Sequence, residues 1–213
     1  MTTDMTDATP TPDDPAPGDP ASNDPTTARP YHHGNLRRAL LDDALAMIEE
    51  RGPAALSLRA LARRLGVSHA APTHHFPDKA ALLTAIAAEG YTLLADTLEQ
   101  ANAAPARDPF LELGVAYVRF AVDHPAHFAV MSAPTLYHPA DPEAAAARDR
   151  AAGLLYAGAG HLAPGSRRAV GLAGWCLMHG LATLWLAGNL RDLDLPPTDI
   201  ARTIGATAFR PVR

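Results

Sequence analysis

From Asn35 to about residue 209 the apolar residues recur every three or four positions and nowhere alternate over a useful length. That spacing lays them along one stripe of an α-helix, whereas a half-buried strand needs a period of two. An all-α fold is what this pattern admits. Pro, Gly and capping residues cut the run into pieces. Leu36, Leu40, Leu41, Ala44, Leu45 and Ile48 form a first helix, with Asn35 as its cap and Gly52-Pro53 as its end. Ser57 caps a second, short helix carrying Leu58, Leu61, Ala62 and Leu65, and Gly66 stops it. A third helix is expected over roughly residues 69–75, with Pro72 tolerated in its first turn. Asp78 then caps a long fourth helix with Leu82, Leu83, Ile86, Leu93 and Leu94 on its apolar stripe. Further helices are expected from Asp108-Pro109 to about Val122, around Phe128, and over residues 141–160, 165–188 and 197–209.

Charge is spread unevenly along the 213 residues. The net value is −5, yet residues 1–28 hold six aspartates and no Lys or Arg, so the rest of the chain is slightly basic. Residues 29–79 carry eight Lys and Arg against five Asp and Glu, with five histidines besides. The first 28 residues, rich in Pro, Asp, Thr and Ala, offer almost nothing to bury and are expected to be a disordered acidic tail. The single Cys176 excludes an intramolecular disulfide or a multi-thiolate zinc site. With no uninterrupted apolar run of about 18 residues and no basic-then-apolar leader, the expectation is a cytoplasmic protein with no membrane partner.

A capped two-turn helix, a glycine turn and a short helix make a helix-turn-helix arrangement, whose second helix enters the DNA major groove. The stretch Val67–Leu83, VSHAAPTHHFPDKAALL, supplies hydrogen-bonding side chains where that helix would meet DNA. Ser57, Arg59, Ser68, His69, Ala70, Thr73, His74 and Lys79 form the candidate DNA-binding set. His69 and Thr73 suit base edges or nearby phosphates, while Lys79 and the first amides of the fourth helix suit a phosphate. Phe76 should anchor the segment to the core.

The block SLRALARRLGVSHAAPTHHFPDKAALL, preceded by EERG, resembles the DNA-binding domain of the TetR family of transcriptional regulators over residues 35 to about 83. WCLMHG, Trp175–Gly180, resembles the W-x-x-x-H-G signature of one subgroup of TetR ligand domains. Thr73 stands where that family commonly has an aromatic residue, often Tyr, that touches the DNA backbone, and Pro72 stands where Leu is commoner. The resemblance implies a homodimer whose last two long helices form a four-helix interface, and an effector pocket among the C-terminal helices.

The organisation expected is therefore a tail over residues 1–28, a helix-turn-helix domain over 29–79, and a ligand-binding and dimerisation domain over 80–213. Tyr117, Phe128, Met131, Trp175 and Met178 offer apolar pocket walls, His179 offers an orienting hydrogen bond, and His127 is a further pocket candidate. The partners expected are double-stranded DNA bearing a palindromic operator, a small-molecule effector and a second copy of the chain. No cofactor, metal or catalytic residue is expected. G-x-S-x-G, P-loop, dinucleotide and H-E-x-x-H motifs are all missing, and His32-His33, His69 and His74-His75 lack carboxylates or thiolates at ligand spacing. A helical hydrolase, a metal-binding protein and an adaptor that has lost DNA binding are the competing readings.

Overall fold

The computed structural model of the chain describes residues 36–159 and 166–209; Asn35 and the acidic tail lie outside them. Among the described residues there are eight α-helices and no strand. They are α1 (Leu36–Arg51), α2 (Leu58–Arg64), α3 (Lys79–Ala103), α4 (Pro109–Asp123), α5 (Pro125–Met131), α6 (Pro142–Gly158), α7 (Arg167–Leu186) and α8 (Pro197–Ala208). Short 3₁₀ turns lie at Pro53–Ala55, Pro72–His74 and Pro134–Leu136.

The helix starts follow local chemistry. Ser57 Oγ accepts from Ala60 N–H at 3.1 Å, Asp78 from Ala81 N–H at 2.8 Å, and Asp108 from Leu111 N–H at 3.0 Å. Each satisfies a donor that the first helical turn leaves without a partner. The end of α2 is equally local. Gly66 adopts φ +66°, Val67 N–H donates to Ala62 O at 3.0 Å, and Gly66 N–H donates to Arg63 O at 3.3 Å. These two bonds close a helix on a left-handed residue, a conformation that costs glycine little.

The third helix expected over residues 69–75 is instead one 3₁₀ turn, Pro72–His74. Pro72 has no N–H to give Ser68 O, so an α-helical ladder cannot run through it. Ala71 N–H reaches Ser68 O at 3.0 Å and Thr73 N–H reaches Ala70 O at 3.2 Å, each three residues back, which is the tighter winding. Pro72 is fully buried and Phe76 nearly so. The residue that shortens the segment thus also pins it to the core.

Two apolar clusters share α3. The first gathers Leu40, Ile48, Leu61, Phe76, Leu83 and Ile86, and takes in Ala126 and Val130 of α5. The second gathers Leu94, Leu98, Leu113, Phe120, Phe128 and Met178. At Gly90, between them on α3, a Cβ would stand 2.7 Å from Met131 Sδ and 3.0 Å from His127 Cβ, so the missing side chain lets α5 approach α3 closely. Helix α6 lies along α3, and α4 is flanked by α3, α7 and α8. Helix α7 buries Gly171, Gly174, Met178, Leu181 and Ala182, and leaves Leu172, Trp175, Leu184 and Leu186 exposed.

Candidate nucleic-acid interface and ligand cavity

On the helix-turn-helix, Ser57, Arg59, Ser68, His69, Ala70, Thr73 and His74 are all exposed. Ser57 Oγ is occupied as an acceptor by its own helix, which leaves the hydroxyl proton available. Thr73 differs: its Oγ1 donates to Ala70 O at 2.7 Å, so this hydroxyl can only accept from outside. A phosphate, which also only accepts, gains nothing from it. Lys79 Nζ donates to Ala54 O at 2.6 Å, which holds the ammonium against the 3₁₀ turn leading to Ser57 and leaves two of its protons. Of the three arginines of α2, Arg64 is engaged by Asp43 at 2.8 Å and Glu50 at 3.2 Å, and the hydrogen bonds to Glu50 and Asp43 hold its pKa above the ordinary value. Arg59 and Arg63 are exposed. Arg37 sits over the Phe76 ring, 5.2 Å from its centre, and so covers the anchor from solvent.

A cavity of about 500 Å³ opens among α3, α4, α5, α6 and α7. Tyr117, Phe128, Met131, Trp175 and His179 line it; His127 and Met178 do not. His127 and Phe128 are neighbours on α5 and point about 100° apart. With Phe128 on the cavity, His127 turns toward α3, where Nε2 lies 3.4 Å from Glu89 Oε1. Met178 is likewise drawn aside, packing where Gly114 and Gly205 leave room. The residues that sequence reasoning misses are Tyr91, Tyr137, Arg148 and Tyr156, all on the cavity wall. Tyr91, Tyr117, Tyr137 and Tyr156 are four of the five tyrosines of the chain, and the fold brings all four to this wall.

Inside the cavity Trp175 Nε1 donates to Tyr117 Oη at 3.2 Å, and Tyr117 Oη lies 2.9 Å from His179 Nδ1. Indole N–H can only donate, so the phenol accepts there, and the direction of its bond with His179 Nδ1 follows the imidazole tautomer. Burial raises the Tyr117 phenol to about 12, against the opposing effect of the Trp175 hydrogen bond, and burial also lowers the His179 pKa. Both groups are therefore neutral near pH 7. Phe128 packs 5.0 Å from the His179 ring centre and Trp175 5.8 Å from it, fixing the imidazole between them.

A family model described as bacterial regulatory proteins, tetR family, matches residues 40–86, and one described as tetracyclin repressor-like, C-terminal domain, matches residues 110–207. The chain belongs to the tetR family. HTH-type transcriptional regulators of Mycobacterium bovis and Mycobacterium tuberculosis are each 32% identical to it over 181 residues, 83% of this chain, and the chain spans 64% of their length. Among solved structures, a protein of unknown function from Rhodococcus sp. RHA1 is 36% identical, with a TM-score of 0.71 over 85% of this chain and 97% of that one. The TetR-family transcriptional regulator PfmR of Thermus thermophilus shares the fold, with a TM-score of 0.62 and 23% identity over 82% of this chain and 98% of that one. The tetR family is one of transcriptional regulators, not of enzymes.

In this tetR-family chain the two matched segments meet at α5. Ala126 and Val130 are buried in the first cluster, while Phe128 and Met131 line the cavity. Across the same contact Arg38 of α1 donates to Glu89 of α3 at 2.8 Å and to Asp42 at 2.5 Å. Glu89 faces His127 of α5 in turn, and burial outweighs that carboxylate to lower the His127 pKa. One side of α5 thus bears on the helix-turn-helix and another on the cavity.

Proposed function

We propose that this chain is a dimeric repressor acting in the cytoplasm, which binds a palindromic operator and is released from it by a small molecule held in the cavity. The observation that carries the reading is the double duty of α5. A ligand pressing on Phe128 and Met131 must displace a helix whose Ala126 and Val130 pack against the DNA-side core. Close-packed cores respond to such displacement by shifting as units. A tenfold loss of operator affinity needs a ligand preference of about 1.4 kcal/mol for the released conformer. On this reading residues 29–79 form the DNA-binding domain and residues 80–213 the ligand and dimerisation domain. Ser57, Arg59, Ser68, His69, Ala70, Thr73, His74 and Lys79 face DNA, and Tyr117, Phe128, Met131, Trp175 and His179 face the effector. His127 and Met178 act one layer behind, supporting the cavity wall.

Dimerisation rests on α7. Leu172 and Leu184 stand exposed on one chain, and a two-fold copy would bury them symmetrically. Selection from random DNA with the full chain tests the whole reading. A two-fold-symmetric site is expected, with base preference altered by His69→Ala and affinity lowered for every sequence alike by Lys79→Ala. Recovery of no enriched site would favour an adaptor without DNA binding, which the internally engaged Thr73 hydroxyl would suit.

A further inference from the structure

The cavity has a chemical bias of its own. Six of the twelve aromatic residues of the chain stand on its wall: Tyr91, Tyr117, Phe128, Tyr137, Tyr156 and Trp175. Rings of a ligand would find offset and edge-on partners on several sides, an arrangement that adds to simple burial. The wall also holds one full positive charge, Arg148, and no carboxylate among the described residues. Arg148 spends three of its five N–H groups: Nη1 on Pro139 O at 3.0 Å, and Nε and Nη2 on Asp149 Oδ1 at 3.2 Å. Its Asp149 partner is 73% exposed, so the pair is water-screened and worth little, and each terminal nitrogen keeps an N–H for another acceptor. Tyr91 Oη and Tyr137 Oη lie 3.3 Å apart, and whichever donates, one phenolic proton remains. Burial, followed by that hydrogen bond, raises the Tyr91 pKa, so this phenol keeps its proton.

Resting on the reading of this cavity as the effector site, we propose that the effector is an aromatic carboxylate, its ring held among the tyrosines, Phe128 and Trp175, its carboxylate taken by Arg148 with the Tyr91–Tyr137 hydroxyl pair. Arg148 is 40% exposed, so the anionic end sits at the wetter rim and keeps part of its hydration while the ring enters the apolar interior. That arrangement avoids most of the cost of burying a charge. A cavity of about 500 Å³ is also within the ordinary range for a molecule of one to three rings.

The experiment titrates the full chain with naphthoate and biphenyl carboxylate, with the methyl ester of each, and with straight-chain carboxylates of equal carbon number. Binding is read by calorimetry and by tryptophan emission, and operator release by gel shift. The aryl acids should bind at least tenfold tighter than their esters and than the straight-chain acids. Arg148→Gln should abolish the preference for acid over ester, and Arg148→Lys should restore part of it. Thermal melts of both variants should match the parent. Esters that bind as well as the acids, or a preference surviving in Arg148→Gln, would overturn the carboxylate. Tighter binding of straight-chain acids would overturn the aromatic ring. If esters bind and release operator where acids do not, the effector reading stands and this inference falls. If no probe binds at its solubility limit, both fall.

Discussion

Helices α3 and α7 are each long and apolar enough to cross a membrane by length and hydropathy, yet the chain treats them in opposite ways. Over the most apolar stretch of each, 56% of the residues of α3 are buried, wrapped by α1, α4, α5 and α6, against only 28% of those of α7. Along α3 the apolar residues meet partners from the same chain on nearly every side. Along α7 one face packs on α4 and α6, and Leu172, Leu184 and Leu186 face outward. Apolar content alone therefore does not say what a helix packs against. On the proposed dimer, α3 holds one chain together and α7 holds two chains together.

Truncation should expose that difference most sharply. Leu83 on α3 is fully buried, and Leu83→Ala should cost about 2–5 kcal/mol of unfolding free energy in a denaturant titration. Leu172 on α7 is 44% exposed, and Leu172→Ala should change the unfolding of a dilute, dissociated chain by less than about 0.5 kcal/mol. Equal losses would erase the distinction between the helices.

A smaller effect is expected where α3 meets α5. In Gly90→Ala the new methyl would crowd His127 Cβ and push Met131 toward the cavity. The cost should be about 1–3 kcal/mol by denaturant titration, the usual range for overpacking, with weaker effector binding besides. A variant as stable as the parent that binds effector equally well would show that α5 has slack and cannot transmit.

At the start of α3, Lys79→Ala should reduce the slope of log affinity against log salt by about one on any DNA sequence. An unchanged slope would mean that Lys79, held on Ala54 O, never reaches a phosphate.

The two helices also part in how far they bury a histidine. His127 against α3 is 5% exposed, and His179 on α7 is half-buried; burial lowers both pKa values. A folded-state pKa below the unfolded value of about 6.5 means that the unfolded chain binds more protons as pH falls. Stability from this source is complete above about pH 6.5 and is lost as pH falls from there through the lowered folded values. His127→Gln should remove more of that acid-side loss than His179→Gln, measured as melting temperature against pH.

Helix ends are legible in the sequence because caps act within a few residues. Ser57, Asp78 and Asp108 each bond an amide three positions on, whatever the rest of the chain does. The segment after Gly66 is only half legible. Pro72 signals a limit on an α-helix, but not that the segment winds as a 3₁₀ turn with Pro72 buried in it. The cavity is least legible, since Tyr91, Tyr137, Arg148 and Tyr156 come together only when α3, α6 and the segment between α5 and α6 pack. No spacing within one helix encodes that meeting. Which of His127 and Phe128 faces the cavity is likewise decided by the approach of α5 to Gly90.

Sedimentation equilibrium of the full chain at micromolar concentration, with Leu184→Asp in parallel, tests the role given to α7 most directly. The parent should run at twice the 22.4 kDa chain mass and bind its selected operator as a dimer. Leu184→Asp, a charge on an exposed position, should keep the parent's helical content, run at the single-chain mass and lose operator binding. A parent that sediments as a monomer, or a Leu184→Asp variant that remains a dimer with full operator affinity, would contradict the account.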